Sequence, residues 1–180
     1  MLLYNFQQRS QDLPYRKAVG IVVVNNDGKV LIGEARGHHD IWKMPQGGIE
    51  GEENIQVAAL RELEEETGIT KARIARQSNN THAYEYPNNS RYVPGFRGQE
   101  FTWLLVQVNQ NEKLDPERFS TADEDQEFSQ LQWVSPEEAI ALAHNDEGDV
   151  VTLQRQVMYQ SIFEEFGFIA PSPAPQPPIQ

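Results

Sequence analysis

Hydrophobic positions along the chain fall into short blocks, most of them strand-length. Residues 17–35, KAVGIVVVNNDGKVLIGEA, hold two β-rich runs separated by NNDG, and Asp27-Gly28 marks a hairpin because glycine accepts the positive backbone angle of a tight turn. RGHHD (36–40) reads as a loop, and IWKMP as a short extended piece ended by Pro45. ARIARQ (72–77) predicts a strand. The stretch 78–98 carries too many Asn, Pro and Gly for regular structure throughout, with THAYEY as its strand-like part. FTWLLVQVN (101–109) is a nearly continuous apolar run that predicts a central strand.

Helical periodicity appears in three places. Asn54 can cap a helix start and Gly68 suits the left-handed position just past its end, with Ile55, Ala59, Leu60 and Leu63 as the apolar stripe between them. LQWVSPEEAIALA joins a strand to a helix through Ser135 as N-cap, Pro136 in the first turn and Glu138 at capping-box spacing. VTLQRQVMYQSIFEEFG (151–167) predicts a helix ended by Gly167. Beyond it, APSPAPQPPIQ holds five prolines and predicts a disordered, polyproline-like tail. Strands interleaved with a few helices over 180 residues predict one mixed α/β domain at 15–168, flanked by an N-terminal extension (1–14) and the tail (169–180).

Charge narrows the function. The formal net charge is −12, which repels phosphate backbones at long range and argues against stable binding of duplex nucleic acid. An anionic substrate needs local cations, either a bound metal or a small Arg/Lys cluster. Cysteine is absent, which removes disulfides, thiolate chemistry and Cys-based metal sites. The longest apolar runs, such as VGIVVV (19–24), are too short to span a bilayer, and the start lacks a basic n-region. A cytoplasmic protein without membrane contact is the expectation, with the oligomeric state left open.

The helix between Asn54 and Gly68 packs Glu62, Glu64, Glu65 and Glu66 into five positions. At about 100° per residue, Glu62, Glu65 and Glu66 share one arc beside the apolar stripe, and Glu64 points elsewhere. Like charges at these spacings repel by a few tenths of a kcal/mol per pair. Arg61 can reach Glu65, but Glu62 and Glu66 have no basic residue three or four positions away. One reading is an acidic solvent face. The other is a hard divalent cation, Mg²⁺ or Mn²⁺, because three carboxylates at i, i+3 and i+4 can direct oxygen ligands to one point. The flexible QGG loop (46–48) and Glu53, placed to pair with Arg61, favour the cation.

Gly47, five residues, Glu53, seven residues, then Arg61-Glu62-Leu63-Glu64-Glu65-Glu66-Thr67-Gly68-Ile69 resembles the Nudix box at all nine fixed positions across 23 residues. The resemblance implies an α/β/α sandwich with a mixed central sheet and a loop–helix–loop catalytic element. It also implies divalent-metal-dependent hydrolysis of a nucleoside diphosphate linked to another group. By the same resemblance, Glu62, Glu65 and Glu66 match metal ligands, with Gly47 beside them, and Arg61 with Glu53 matches a supporting salt bridge. Glu65 and Glu66 are the box candidates for the catalytic step. Glu52 stands where members often carry glycine.

Outside the box, YRKAVGIVV (15–23), WKMPQGG (42–48), GQEFTWLLVQ (98–107), EFSQLQWV (127–134) and VMYQSIFEEF (157–166) resemble bacterial RNA pyrophosphohydrolases and dinucleoside polyphosphate hydrolases. This implies metal binding or general-base action for Glu127. It suggests Arg16, Arg36, Lys43 and Arg155 for substrate phosphates and Tyr84 for stacking on a base, with surface charge and packing as the respective alternatives. Trp42 reads as core or site wall, and His38 and His39 as solvent-facing. The final helix has Gln154-Arg155 where an aromatic-basic pair is expected, which favours dinucleoside polyphosphates. The partner implied is thus a nucleotide or an RNA 5′ end. The same fold on ADP-ribose, nucleotide sugars or damaged nucleoside triphosphates, or as a non-catalytic nucleotide-binding regulator, are the alternatives.

Overall fold

The computed structural model describes residues 12–86, 94–108, 114, 126–143 and 150–171. Most of the N-terminal extension and of the proline tail lie outside these. The described elements are β1 (Tyr15–Val24), β2 (Val30–Ala35), β3 (Trp42–Lys43), β4 (Gln46–Gly48), α1 (Ile55–Thr67), β5 (Ala72–Glu85), β6 (Gly98–Val108), β7 (Phe128–Val134), α2 (Pro136–Leu142) and α3 (Val150–Phe166).

The strands run β3-β2-β1-β6-β5, with β4 added to β1 and β7 to β2. β1 pairs with β6 in parallel over its whole length, and the other pairings are antiparallel, so the sheet is mixed. Side chains alternate across a strand, and here both faces are covered. Val19, Ile21 and Val23 of β1 join Leu104 and Val106 of β6 under Ala58, Ala59 and Leu63 of α1. Ala18, Val22 and Val24 join Phe101, Trp103 and Leu105 under Met158, Tyr159, Ile162 and Phe163 of α3. The result is the α/β/α sandwich expected: among the described residues, α1 covers one face and α2 with α3 the other. No helix among the described residues is long and apolar enough to cross a membrane.

The punctuation acts as read. Gly28 sits at φ +74° in the β1–β2 hairpin. Asn54 accepts from the Gln56 amide at 2.8 Å, and Gly68 closes α1 at φ +77°. Ser135 and Glu138 form the reciprocal capping box.

Two expectations need correction. Residues 78–80 belong to β5, which runs unbroken from 72 to 85. Its register slips between Gln77 and Thr81, and side-chain bonds to β6 and α3 hold the polar residues there. Ser78 accepts from the Trp103 amide at 3.1 Å, and Glu165 of α3 accepts from the Asn79 amide. In α1, Leu60 is exposed and Ala58 takes its place in the buried stripe. Small side chains let the helix approach the sheet closely, which an apolarity count misses.

Glycine also sets how tightly the other face packs. A Cβ on Gly20 would lie 2.5 Å from the Trp103 ring, which is fully buried and boxed in by Tyr159 and Phe101. Gly20→Ala is therefore expected to cost about 1–3 kcal/mol of overpacking, read as a lower denaturation midpoint at unchanged m-value.

Candidate active site

The site forms where β4 crosses the box helix. Pairing of Gly47 with Val19 fixes the loop on β1, and the Ile49 amide donates to the Lys17 carbonyl at 3.1 Å. That placement lays Gly47 directly on the Glu62 carboxylate, where a Cβ would overlap it. The Gln46 amide donates to Glu66 Oε2 at 3.0 Å. Loop and helix are thus joined through two of the three arc glutamates.

Arg61 braces the assembly. Its Nε and Nη2 bind both oxygens of Glu53 at 3.0 Å, and Nη2 also reaches the Gly48 carbonyl at 2.9 Å. Nη1 donates to Glu62 at 2.9 Å and to Glu65 at 3.0 Å. The Arg61–Glu62 contact links neighbours in sequence and has no helical-spacing signal. Hydrogen bonding to Arg61 holds the Glu53 carboxyl below its ordinary value.

Glu66 carries the least comfortable charge. Burial raises its carboxyl well above the ordinary carboxylate range, Lys43 and the Gln46 amide oppose that rise, and Glu127 and Glu62 add to it. Burial also raises Glu62, against the pull of Arg61 and Arg16. Lys43 forms an ion pair with Glu127 and lies 5.6 Å from the centre of the Phe128 ring. Arg16 lies over Gly48, where a Cβ would strike its guanidinium.

The fold therefore gathers Arg16, Lys43, Gly47, Glu62, Glu66 and Glu127, with Arg61 and Glu53 behind them. Glu65 stands at the rim, its side chain 58% exposed on Arg61. Among the described residues, no three acidic or histidine side chains are drawn together as a ready cage of ligands. The donor set nonetheless fits a hard divalent cation. Every donor is an oxygen, Gly47 leaves room for no side chain beside Glu62, and the Glu66 charge is costly without a cation.

The remaining candidates are placed differently. Arg36 commits its guanidinium to Gln126 and Phe128. The Tyr84 ring is in the core, stacked on Phe101 at 5.7 Å, with its hydroxyl on Gln99. Arg155 is half-buried, and its Nη1 has no hydrogen-bond partner; neither does Gln46 Oε1. Trp42 packs at the edge of the α3-side core, and His38 and His39 are exposed.

Sequence reasoning missed Tyr159. Its hydroxyl accepts from the Met44 amide at 2.7 Å and so anchors the segment entering β4. Full burial pushes its pKa up to about 12. The apolar run around it in VMYQSIF marks it only as core.

Comparison with known proteins follows the same lines. The NUDIX domain family model matches residues 14–156. The RNA pyrophosphohydrolase of Novosphingobium aromaticivorans is 35% identical over 164 residues, covering 86% of this chain and 93% of the relative. The RNA pyrophosphohydrolase of Rickettsia typhi is 31% identical, covering 90% and 96%. The crystal structure of the C. elegans Ap4A hydrolase shares the fold with a TM-score of 0.53 at 23% identity, over 83% of this chain and 98% of that one.

Proposed function

Because this chain belongs to the Nudix hydrolase family and is a pyrophosphohydrolase, we propose that it cleaves a phosphoanhydride bond in 5′-triphosphorylated RNA ends or in dinucleoside polyphosphates, in the cytoplasm. The observation that carries the reading is the joining of Gly47, Glu62 and Glu66 beside Lys43 and Glu127, in a chain whose RNA pyrophosphohydrolase relatives align over nearly their full length.

The metal is proposed to be Mg²⁺, with Mn²⁺ as substitute, held by Glu62, Glu65, Glu66 and Glu127 with the Gly47 backbone. When bound there, it would supply positive charge to the phosphate oxygens and make the attacking water more acidic. The chain's own cations complete the reception of an anion that the −12 surface repels. Lys43 and Arg16 stand beside the carboxylates, and Arg155 of α3 is the further candidate for a substrate phosphate. Water attacks phosphorus, the anhydride P–O bond breaks, and the bridging oxygen leaves on the departing phosphate. Glu127, Glu66 and Glu65 are the candidates to take the water's proton, a step that contributes about 10²–10⁴-fold.

The test is parallel hydrolysis, with Mg²⁺, of 5′-triphosphorylated RNA, diadenosine tetraphosphate and ADP-ribose. Turnover of either of the first two is the expected result. Activity confined to ADP-ribose would keep the site and overturn the substrate class.

A further inference from the structure

Glu127 opens the turn into β7, where regular pairing with β2 is interrupted. The β2–β7 register shifts between Glu34 and Ala35, so Glu34 faces Gln130 while Ala35 faces Phe128. Something other than an even ladder must hold the backbone around Glu127.

Arg36 does so from the first residue after β2. Its amide donates to the Glu127 carbonyl at 2.9 Å. Its Nε donates to the Gln126 carbonyl at 3.2 Å, and its Nη2 reaches Gln126 Oε1 at 2.7 Å and the Phe128 carbonyl at 3.1 Å. One residue thus grips the carbonyls of 126, 127 and 128 in succession. Glu34 secures the far side of the irregularity, accepting from Ser129 and Gln130 at 2.9 Å and from the Asp40 amide at 3.1 Å.

We infer that Arg36 is a positioning residue for Glu127 and does not contact the substrate. The inference rests on the proposed role of Glu127. A planar guanidinium presents several donors in a fixed fork, whereas an ammonium is a point donor on a flexible stem and cannot hold the same set of acceptors together. The orientation delivered to Glu127 is what brings its carboxylate to Lys43 and near Glu66. A phosphate-binding arginine would leave its fork open to ligand; here it is engaged around Glu127.

The test compares Arg36→Lys, Arg36→Gln, Glu127→Gln and the Arg36→Lys/Glu127→Gln pair, using 5′-triphosphorylated RNA and diadenosine tetraphosphate with Mg²⁺. Amide hydrogen exchange is followed in parallel without metal. Arg36→Lys is expected to lower kcat at least about tenfold with KM within about twofold, since misplacement by about an ångström carries costs of that order or more. Adding it to Glu127→Gln is expected to change nothing further. Exchange at 126–129 is expected to accelerate in both Arg36 variants while β1 and β6 keep their protection. This readout needs no turnover and separates local loosening from misfolding. A raised KM at unchanged kcat, additive losses in the double variant, or unchanged exchange would each overturn the inference. Glu127→Gln at full activity would remove the Glu127 reading and the inference with it. An impaired Glu127→Gln beside a fully active Arg36→Lys would remove the inference alone.

Discussion

Glu66→Gln is expected to lose about 10²–10⁴-fold in hydrolysis while raising the melting temperature of the metal-free protein at neutral pH. Both effects come from one feature. The Glu66 carboxyl is desolvated beside Glu62 and Glu127, and burial raises its pKa well above the ordinary value of 4.5. A raised folded value means that the fold prefers the protonated acid. The stability it contributes is therefore complete below the unfolded pKa and is lost as pH rises through the folded one. Glutamine is neutral throughout, keeps an oxygen for the Gln46 amide, and removes that loss. Thermal melts between pH 5 and 8 without divalent ion should fall with pH in the wild type and stay flatter in the variant. Added Mg²⁺ should stabilise the wild type and do little for Glu66→Gln. A variant that is no more stable than wild type at pH 8 would contradict the desolvated charge.

Gly47→Ala is expected to cut activity by about 10²-fold with only a small change in Tm. The new Cβ would overlap the Glu62 carboxylate, and β4 cannot retreat because Gly47 is paired to Val19 in the sheet. The yielding partner is the end of a flexible side chain, so Glu62 swings aside at little cost to the fold. What is lost is its place next to Glu66, and misplacement of about an ångström costs about 10²-fold. Contrast Gly20→Ala, where the obstacle is a buried indole and stability falls instead. Measuring kcat and Tm for both variants separates the two kinds of glycine. A Gly47→Ala protein with wild-type kcat would show that Glu62 is not required where it stands.

The sequence was most legible where one rule acted alone. The caps Asn54 and Ser135, the stops Gly68 and Gly167, and the turn at Gly28 each follow from local chemistry, and the structure bears them out. The glutamate arc and the Arg61–Glu53 brace are also local, spanning at most eight positions. Less legible was whatever depended on chain segments meeting from a distance. Lys43 and Glu127 are 84 positions apart, and Arg36 and Gln126 are 90 apart, so no periodicity could pair them. The polar run 78–80 reads as loop because its partners, Trp103 and Glu165, lie in other elements. Tyr84 carries the same ambiguity in reverse: an aromatic among polar neighbours suggests a surface stack, yet its alternation places it on the core face of β5 against Phe101.

Glu62, Glu65 and Glu66 are proposed to hold a divalent ion beside the Gly47 loop. Titration of Mn²⁺, followed by loss of the free-ion EPR signal, tests it without requiring the substrate to be known. Saturable binding by the wild type, weakened at least about tenfold in Glu66→Gln and in Glu62→Gln, is the expected result, because removing a charged ligand costs more than 1.4 kcal/mol. Equal binding by all three proteins would contradict the claim and return the glutamate arc to an acidic surface.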